Sequence, residues 1–70
     1  MIDLIALGPN AETLRVMESE VGSYYEALTL AETVRDTVKA DTVTVYYNGR
    51  KWFVLTWNDQ VNTFVGDGLA

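Results

Sequence analysis

The sequence contains no cysteine and no histidine among its 70 residues. Without cysteine the chain forms no disulfide and no thiolate metal site, and without histidine only carboxylates and carbonyls remain as metal ligands. Cysteine and histidine also supply many catalytic nucleophiles and bases. We therefore expect a protein that is not an enzyme and that carries no cofactor and no metal.

Basic residues are scarce, because five Lys and Arg stand against ten Asp and Glu, for a formal net charge of −5. Nucleic acids and anionic membranes select proteins with excess Lys and Arg, so neither is an expected partner. Arg50 and Lys51, among aromatic residues, are the only hint of a nucleic-acid platform. An acidic chain suits a protein partner with a basic surface, such as a protein that itself binds nucleic acid. The candidate acidic binding residues lie in the first half of the sequence: Glu18, Glu20 and Glu26. An ordinary solvated surface is the alternative interpretation of these carboxylates.

Long apolar runs are also absent. The apolar segment at residues 1–8 is too short to cross a bilayer, is interrupted by Asp3 and has no basic region before it. This pattern, together with the lack of cysteine, predicts a cytoplasmic protein. The length predicts a single domain over residues 1–70, and a core this small is often supported by self-association, so we expect a homodimer.

Turn signals and hydrophobic periodicity predict an α+β fold, a small antiparallel sheet with one helix in the order β-ββ-α-βββ. The apolar stretch Ile2–Leu7 reads as the first strand. Thr29-Leu30-Ala31-Glu32 has the form of a capping box, which predicts a helix over residues 30–39. Asn48-Gly49 suits a two-residue type I′ turn between strands at 42–47 and 51–57, and a shorter strand follows at 61–65.

Residues 12–28 admit two interpretations. Apolar residues recur there at alternating spacings of three and four: Leu14, Met17, Val21, Tyr24, Leu28 and Ala31. This spacing favours a longer N-terminal helical region followed by a β-meander. However, Gly22-Ser23 interrupts the pattern, and a capping box at Thr29 does not fit inside a continuous helix. We therefore favour a hairpin with strands at 14–18 and 23–28.

The turn at Asn48-Gly49 determines which side chains share a face of the second hairpin. With an unbroken register, Val45 pairs with Trp52 on a face that covers the helix. The opposite face still carries large apolar side chains: Tyr46, Phe53, Leu55 and, farther along, Trp57. A sheet covered on one side is expected to have a polar outer face. These residues therefore either lie under another element or form a protein-binding surface.

The order of these features, with the T-L-A-E helix start at 29–32 and the N-G turn at 48–49, resembles that of many small phage-encoded proteins over about residues 14–57. The resemblance implies a protein that binds and inhibits a host enzyme, a nuclease or a transcription component. The expected function is thus that of a small acidic protein-binding module that modulates or inhibits a partner. The alternative is a structural or assembly protein that homo-oligomerises through its hairpin face.

Overall fold

A computed structural model describes residues 1–58 and 60–63, which form a five-stranded antiparallel sheet with one helix packed against it. The elements are β1 (Ile2–Leu7), β2 (Thr13–Ser19), α1 (Tyr24–Val38), β3 (Thr42–Tyr47), β4 (Arg50–Thr56) and β5 (Val61–Thr63). Their spatial order is β2-β1-β3-β4-β5, so β3 is the central strand and β2 is an edge. The predicted α+β class, with an antiparallel sheet and one helix, is confirmed for the described residues.

The core lies between α1 and one face of the sheet. Side chains alternate along β1, so Ile2, Leu4 and Ala6 are fully buried while the residues between them face away from the helix. The buried stripe of α1 includes Ala27 and Ala31, whose short side chains let the helix lie close to the sheet. The larger buried side chains come from the strands: Phe53, Ile2, Leu4, Leu55, Val43 and Val45. The sheet thus supplies most of the core volume.

Helix α1 begins at Tyr24, earlier than predicted. Its N-cap is Ser23, whose Oγ accepts from the Glu26 amide at 3.2 Å, while the Glu26 carboxylate accepts from the Gly22 amide at 3.5 Å. Thr29 lies inside the helix, where its carbonyl accepts from the Thr33 hydroxyl. The predicted strand at 23–28 and helix start at Thr29 were wrong. An earlier start adds Ala27 to the buried stripe of the helix.

The predicted strand at 14–18 is present as β2, but its partner is β1. Neither the 14–18/23–28 hairpin nor one continuous helix describes residues 12–28. This region contains a strand followed by the start of a helix, because β2 pairs with the preceding strand β1 and not with residues 23–28. The spacing of apolar residues within 12–28 does not reveal that pairing.

The β3–β4 hairpin has the predicted turn, with positive φ at Asn48 (50°) and Gly49 (84°), as a type I′ turn requires. A bulge between Val45 and Tyr46 then shifts the register, so Val45 pairs with Phe53 and not with Trp52. The prediction that Phe53 and Leu55 lie on the outer face was therefore wrong, because both are buried in the core, at 0% and 1% exposure.

An aromatic cluster accompanies the bulge. The Tyr24 ring packs edge-to-face against Trp52 and Phe53, with centroid distances of 5.7 and 5.1 Å, and Tyr47 packs against Trp52 at 5.5 Å. The extra residue in β4 lets two consecutive aromatic side chains reach the helix side of the sheet. Tertiary packing against Tyr24 is thus a physical reason for the shifted register.

The last predicted strand, 61–65, is present as β5 over Val61–Thr63, and its remaining positions lie outside the described residues. Within residues 1–58 and 60–63, no helix has the length and apolar character that a membrane crossing requires.

Candidate protein-binding surface

The sheet face opposite α1, which we call the open face, is built by alternate residues of the strands. Strand pairing aligns them in rows that run across the sheet. The open face comprises Asp3, Ile5, Leu7, Val16, Glu18, Thr42, Thr44, Tyr46, Lys51, Val54, Thr56 and Asn62. In the described part of the chain, the only helix packs on the other face of the sheet, so no second layer covers this one.

An apolar row crosses the middle of the open face. Val16 pairs with Ile5, Ile5 with Thr44, and Thr44 with Val54. Val16 is 61% exposed, Ile5 and Val54 are half-buried, and none of these three belongs to the core that α1 covers. A solvated sheet face normally alternates to polar residues. The row is therefore the kind of exposed apolar surface that tends to mark an interaction site.

A charged row runs beside the apolar one, toward the Asn48-Gly49 turn. Glu18 pairs with Asp3, Asp3 with Tyr46, and Tyr46 with Lys51. Two carboxylates directly opposite each other on antiparallel strands destabilise the sheet, whereas Lys51 carries the opposite charge on the other side of the central strand. The row is thus acidic at the β2 side and basic at β4.

The structure brings only Glu18 and Tyr46, of the predicted binding residues, onto the open face. Glu20 is exposed in the segment that connects β2 to α1. The Glu26 carboxylate accepts a hydrogen bond from the Gly22 amide at the start of α1. Since Phe53 and Leu55 are in the core, they contribute no contact surface.

Trp57, the remaining predicted binding residue, follows β4 and is 49% exposed. The Arg35 guanidinium lies 5.9 Å from its ring centroid, and Arg35 Nη1 also approaches the Thr56 carbonyl at 3.4 Å. Arg35 Nε donates to Asp36 Oδ1 at 3.0 Å. These contacts connect the last turn of α1 to the end of β4, which gives Trp57 a structural role. Its role in binding stays a prediction.

Arg50 and Lys51 do not share a surface with an exposed aromatic platform. They are consecutive strand residues, paired with Tyr47 and Tyr46 respectively, and therefore point to opposite faces. Trp52, next in sequence, is half-buried in the aromatic cluster. The two positive charges are therefore divided between the two faces of the sheet.

Two shallow grooves lie elsewhere on the described surface. One of about 380 Å³ runs along α1 beside Tyr25, Thr29 and Leu30. The other, of about 290 Å³, lies between Pro9, Ala40 and Trp57. Within residues 1–58 and 60–63, no group of three or more acidic side chains is arranged to hold a metal ion.

Sequence reasoning missed the residues that make the open face apolar: Ile5, Val16 and Val54. A signal for Ile5 was available in β1, whose nearly continuous apolar run is typical of strands covered on both faces. An unbroken register places Val54 on the same face as Val45 and Trp52, the face predicted to cover the helix, and the bulge reverses this. Val16 received no assignment to a face, because residues 14–18 were paired with 23–28 and not with β1. No family model, no curated protein and no solved structure matches this chain significantly.

Proposed function

We propose that this chain is a small protein-binding module that acts without catalysis, and that the open face is its contact surface. The observation that supports the proposal is the apolar row on the solvent face of the sheet, in which Val16 lies beside Ile5 and Thr44 lies between Ile5 and Val54. Burying such a row against a partner recovers hydrophobic free energy at about 25 cal/mol per Å² of apolar surface. Partner binding then modulates or inhibits the partner.

The electrostatic arrangement adds a preference for a partner with basic groups. Asp3 and Glu18 face each other across β1 and β2, so a cation placed over them relieves their repulsion. Glu20, exposed just after β2, extends the same charge. A net charge of −5 favours approach of a basic surface over an acidic one.

The outer side of α1 is a weaker candidate. Tyr25 is its most exposed large apolar side chain, at 78%, but apart from Leu30 the residues that share its groove are polar. Single exposed hydrophobic residues are normal on soluble proteins. Tyr25 therefore provides a matched control position for experiments on the open face.

Photo-crosslinking tests the proposal. A benzoylphenylalanine is placed at Val16 in one variant and at Tyr25 in another, and each protein is irradiated both alone and in a lysate of the source cells. Both positions are exposed, so the two variants should fold alike. We expect a discrete crosslinked product from position 16, identified by mass spectrometry, and none from position 25.

Ile5→Glu places a charge within the apolar row and should abolish the product from position 16 while circular dichroism shows a folded protein. Equal crosslinking from both positions, or a product from position 16 that survives Ile5→Glu, contradicts the assignment of the open face. No crosslinked product under any condition contradicts the proposed function itself.

A further inference from the structure

We infer that the occupant of the open face is a second copy of this chain, stacked face to face about a two-fold axis that lies close to β3. The inference rests on the proposed function, since it specifies the partner for the same surface. Three features of the open face carry it: the position of β3, the composition of the rows, and the placement of charge along one of them.

The central position of β3 makes the open face self-complementary in shape. With the order β2-β1-β3-β4-β5, rotation by half a turn about β3 places β1 over the partner's β4 and β2 over the partner's β5. Every strand of one sheet then has a strand of the other above it. Face-to-face sheets keep their strands within about 30° of each other, which this axis satisfies.

The apolar row meets itself in this arrangement. Ile5 comes to lie over the partner's Val54, and Val54 over the partner's Ile5, because both belong to the row that passes through Thr44. Thr44, at 8% exposure and the least exposed residue of the row, lies at the axis. Val16, at the β2 end of the row, comes to lie over the partner's Asn62 on β5, so the apolar contact is centred on Ile5 and Val54.

The charged row supplies the second match. Asp3 and Lys51 flank Tyr46 in the same row, one on β1 and the other on β4. Rotation about β3 sets Asp3 opposite the partner's Lys51, and Lys51 opposite the partner's Asp3. Each dimer thus gains two symmetry-related ion pairs, and the cation over Asp3 offsets its repulsion with Glu18.

An axis across the strands gives a worse match. Such an axis, passing through the row of Ile5, superposes the apolar row on itself but also superposes the two ends of β1, so that Asp3 lies over the partner's Leu7 and a carboxylate is buried against an apolar side chain. Burying an unpaired charge is strongly unfavourable. The placement of Asp3 and Lys51 therefore selects the axis along β3.

The size of the open face sets the expected affinity. Five strands about 4.8 Å apart and about six residues long give a face of roughly 20 by 20 Å, or on the order of 1,000 Å² of accessible surface buried by two copies. This is at the low end of specific interfaces, and the like net charge of −5 on the two copies opposes their association. We expect a dimer with a dissociation constant in the micromolar range, about 10–100 µM.

Sedimentation equilibrium of the purified chain, over roughly 5–500 µM, tests the inference with charge variants. Lys51→Glu and Arg50→Glu change the net charge equally, but only Lys51 is on the open face. We expect Lys51→Glu and Asp3→Lys each to weaken the dimer by about tenfold or more. The double variant Asp3→Lys/Lys51→Glu should recover the wild-type constant within about threefold, and Arg50→Glu should leave it within about twofold.

A monomer at every concentration overturns the inference. In that case a crosslink from position 16 to a different protein would leave the proposed function standing, which distinguishes the two failures. The inference is also overturned if Arg50→Glu and Lys51→Glu weaken the dimer equally, or if the double variant does not restore it. Circular dichroism of each variant separates loss of association from loss of fold, and Lys51→Gln provides a milder substitution if Lys51→Glu unfolds.

Discussion

At the scale of the residue, Ser23 holds the start of α1. The first amides of a helix have no partner within the helix, and Ser23 Oγ accepts from one of them, at Glu26. The Glu26 side chain in turn reaches the Gly22 amide at 3.5 Å. A serine and a glutamate thus satisfy two backbone donors at a point where the chain leaves β2 and enters the helix.

Ser23→Ala should lower the free energy of unfolding by about 1 kcal/mol, because an amide at the helix start loses its acceptor. Thr29→Ala is the matched control, since Thr29 has an exposed side chain inside the helix. Alanine is the better helix former there, so the control should be neutral or slightly stabilising, within about 0.5 kcal/mol. Urea unfolding followed by circular dichroism measures both. A loss from Thr29→Ala with none from Ser23→Ala would place the helix start at Thr29 instead.

At the scale of the element, the bulge in the β3–β4 hairpin decides which face of β4 is buried. Phe53 is fully buried and packs against Tyr24, whereas its neighbour Val54 is on the open face. An unbroken register from the same turn would exchange the two. The consequence of one extra residue therefore extends along the whole strand.

Phe53→Ala should cost about 3–5 kcal/mol of unfolding free energy, because it leaves a cavity beneath α1. Val54→Ala should cost well under half as much in the monomer, since Val54 is half-buried outside the core. Both are measured by urea unfolding at low protein concentration. If Val54→Ala proves the more damaging, the register shift is wrong.

The sequence predicts part of this hairpin and not the rest, for a physical reason. Asn48-Gly49 encodes its turn locally, because consecutive left-handed residues need those side chains. The bulge depends on packing between Trp52 and Tyr24, which are distant in the chain. The helix start was ambiguous in a similar way, since Ser23 and Thr29 each precede a glutamate by three positions and only burial of Ala27 distinguishes them.

The candidate site was also predicted only in part, for the same reason. Glu18 and Tyr46 were identified from charge and from hairpin geometry near the turn, where the register is as predicted. Ile5 and Val16 were not, because their row exists only once β1 pairs with both β2 and β3. The sequence therefore predicts only some of the residues of a surface that four strands assemble.

At the scale of the whole molecule, stability and association become linked. A chain of 70 residues has a small core, and in the proposed dimer a second copy on the open face binds the folded state and not the unfolded one. Association then stabilises the fold by mass action. Stability should consequently depend on protein concentration.

The melting temperature should rise by about 5–10 °C between roughly 10 and 500 µM wild-type chain, given a micromolar dimer and the small unfolding entropy of a domain this size. Lys51→Glu should reduce this dependence, and Arg50→Glu should retain it. Differential scanning calorimetry at several concentrations measures the shift. A melting temperature that is constant with concentration would show that the folded chain gains nothing from a second copy.

The position of β1 also dictates when the fold can form during synthesis. β1 is made first, yet Ile2 pairs with Tyr47, so its second neighbour is translated only after α1. At about 5–20 residues per second the ribosome needs roughly 2–9 seconds to supply that neighbour. Until then β1 has only β2 beside it, and an isolated hairpin is marginally stable. We therefore expect the sheet to be completed only after β3 has been translated.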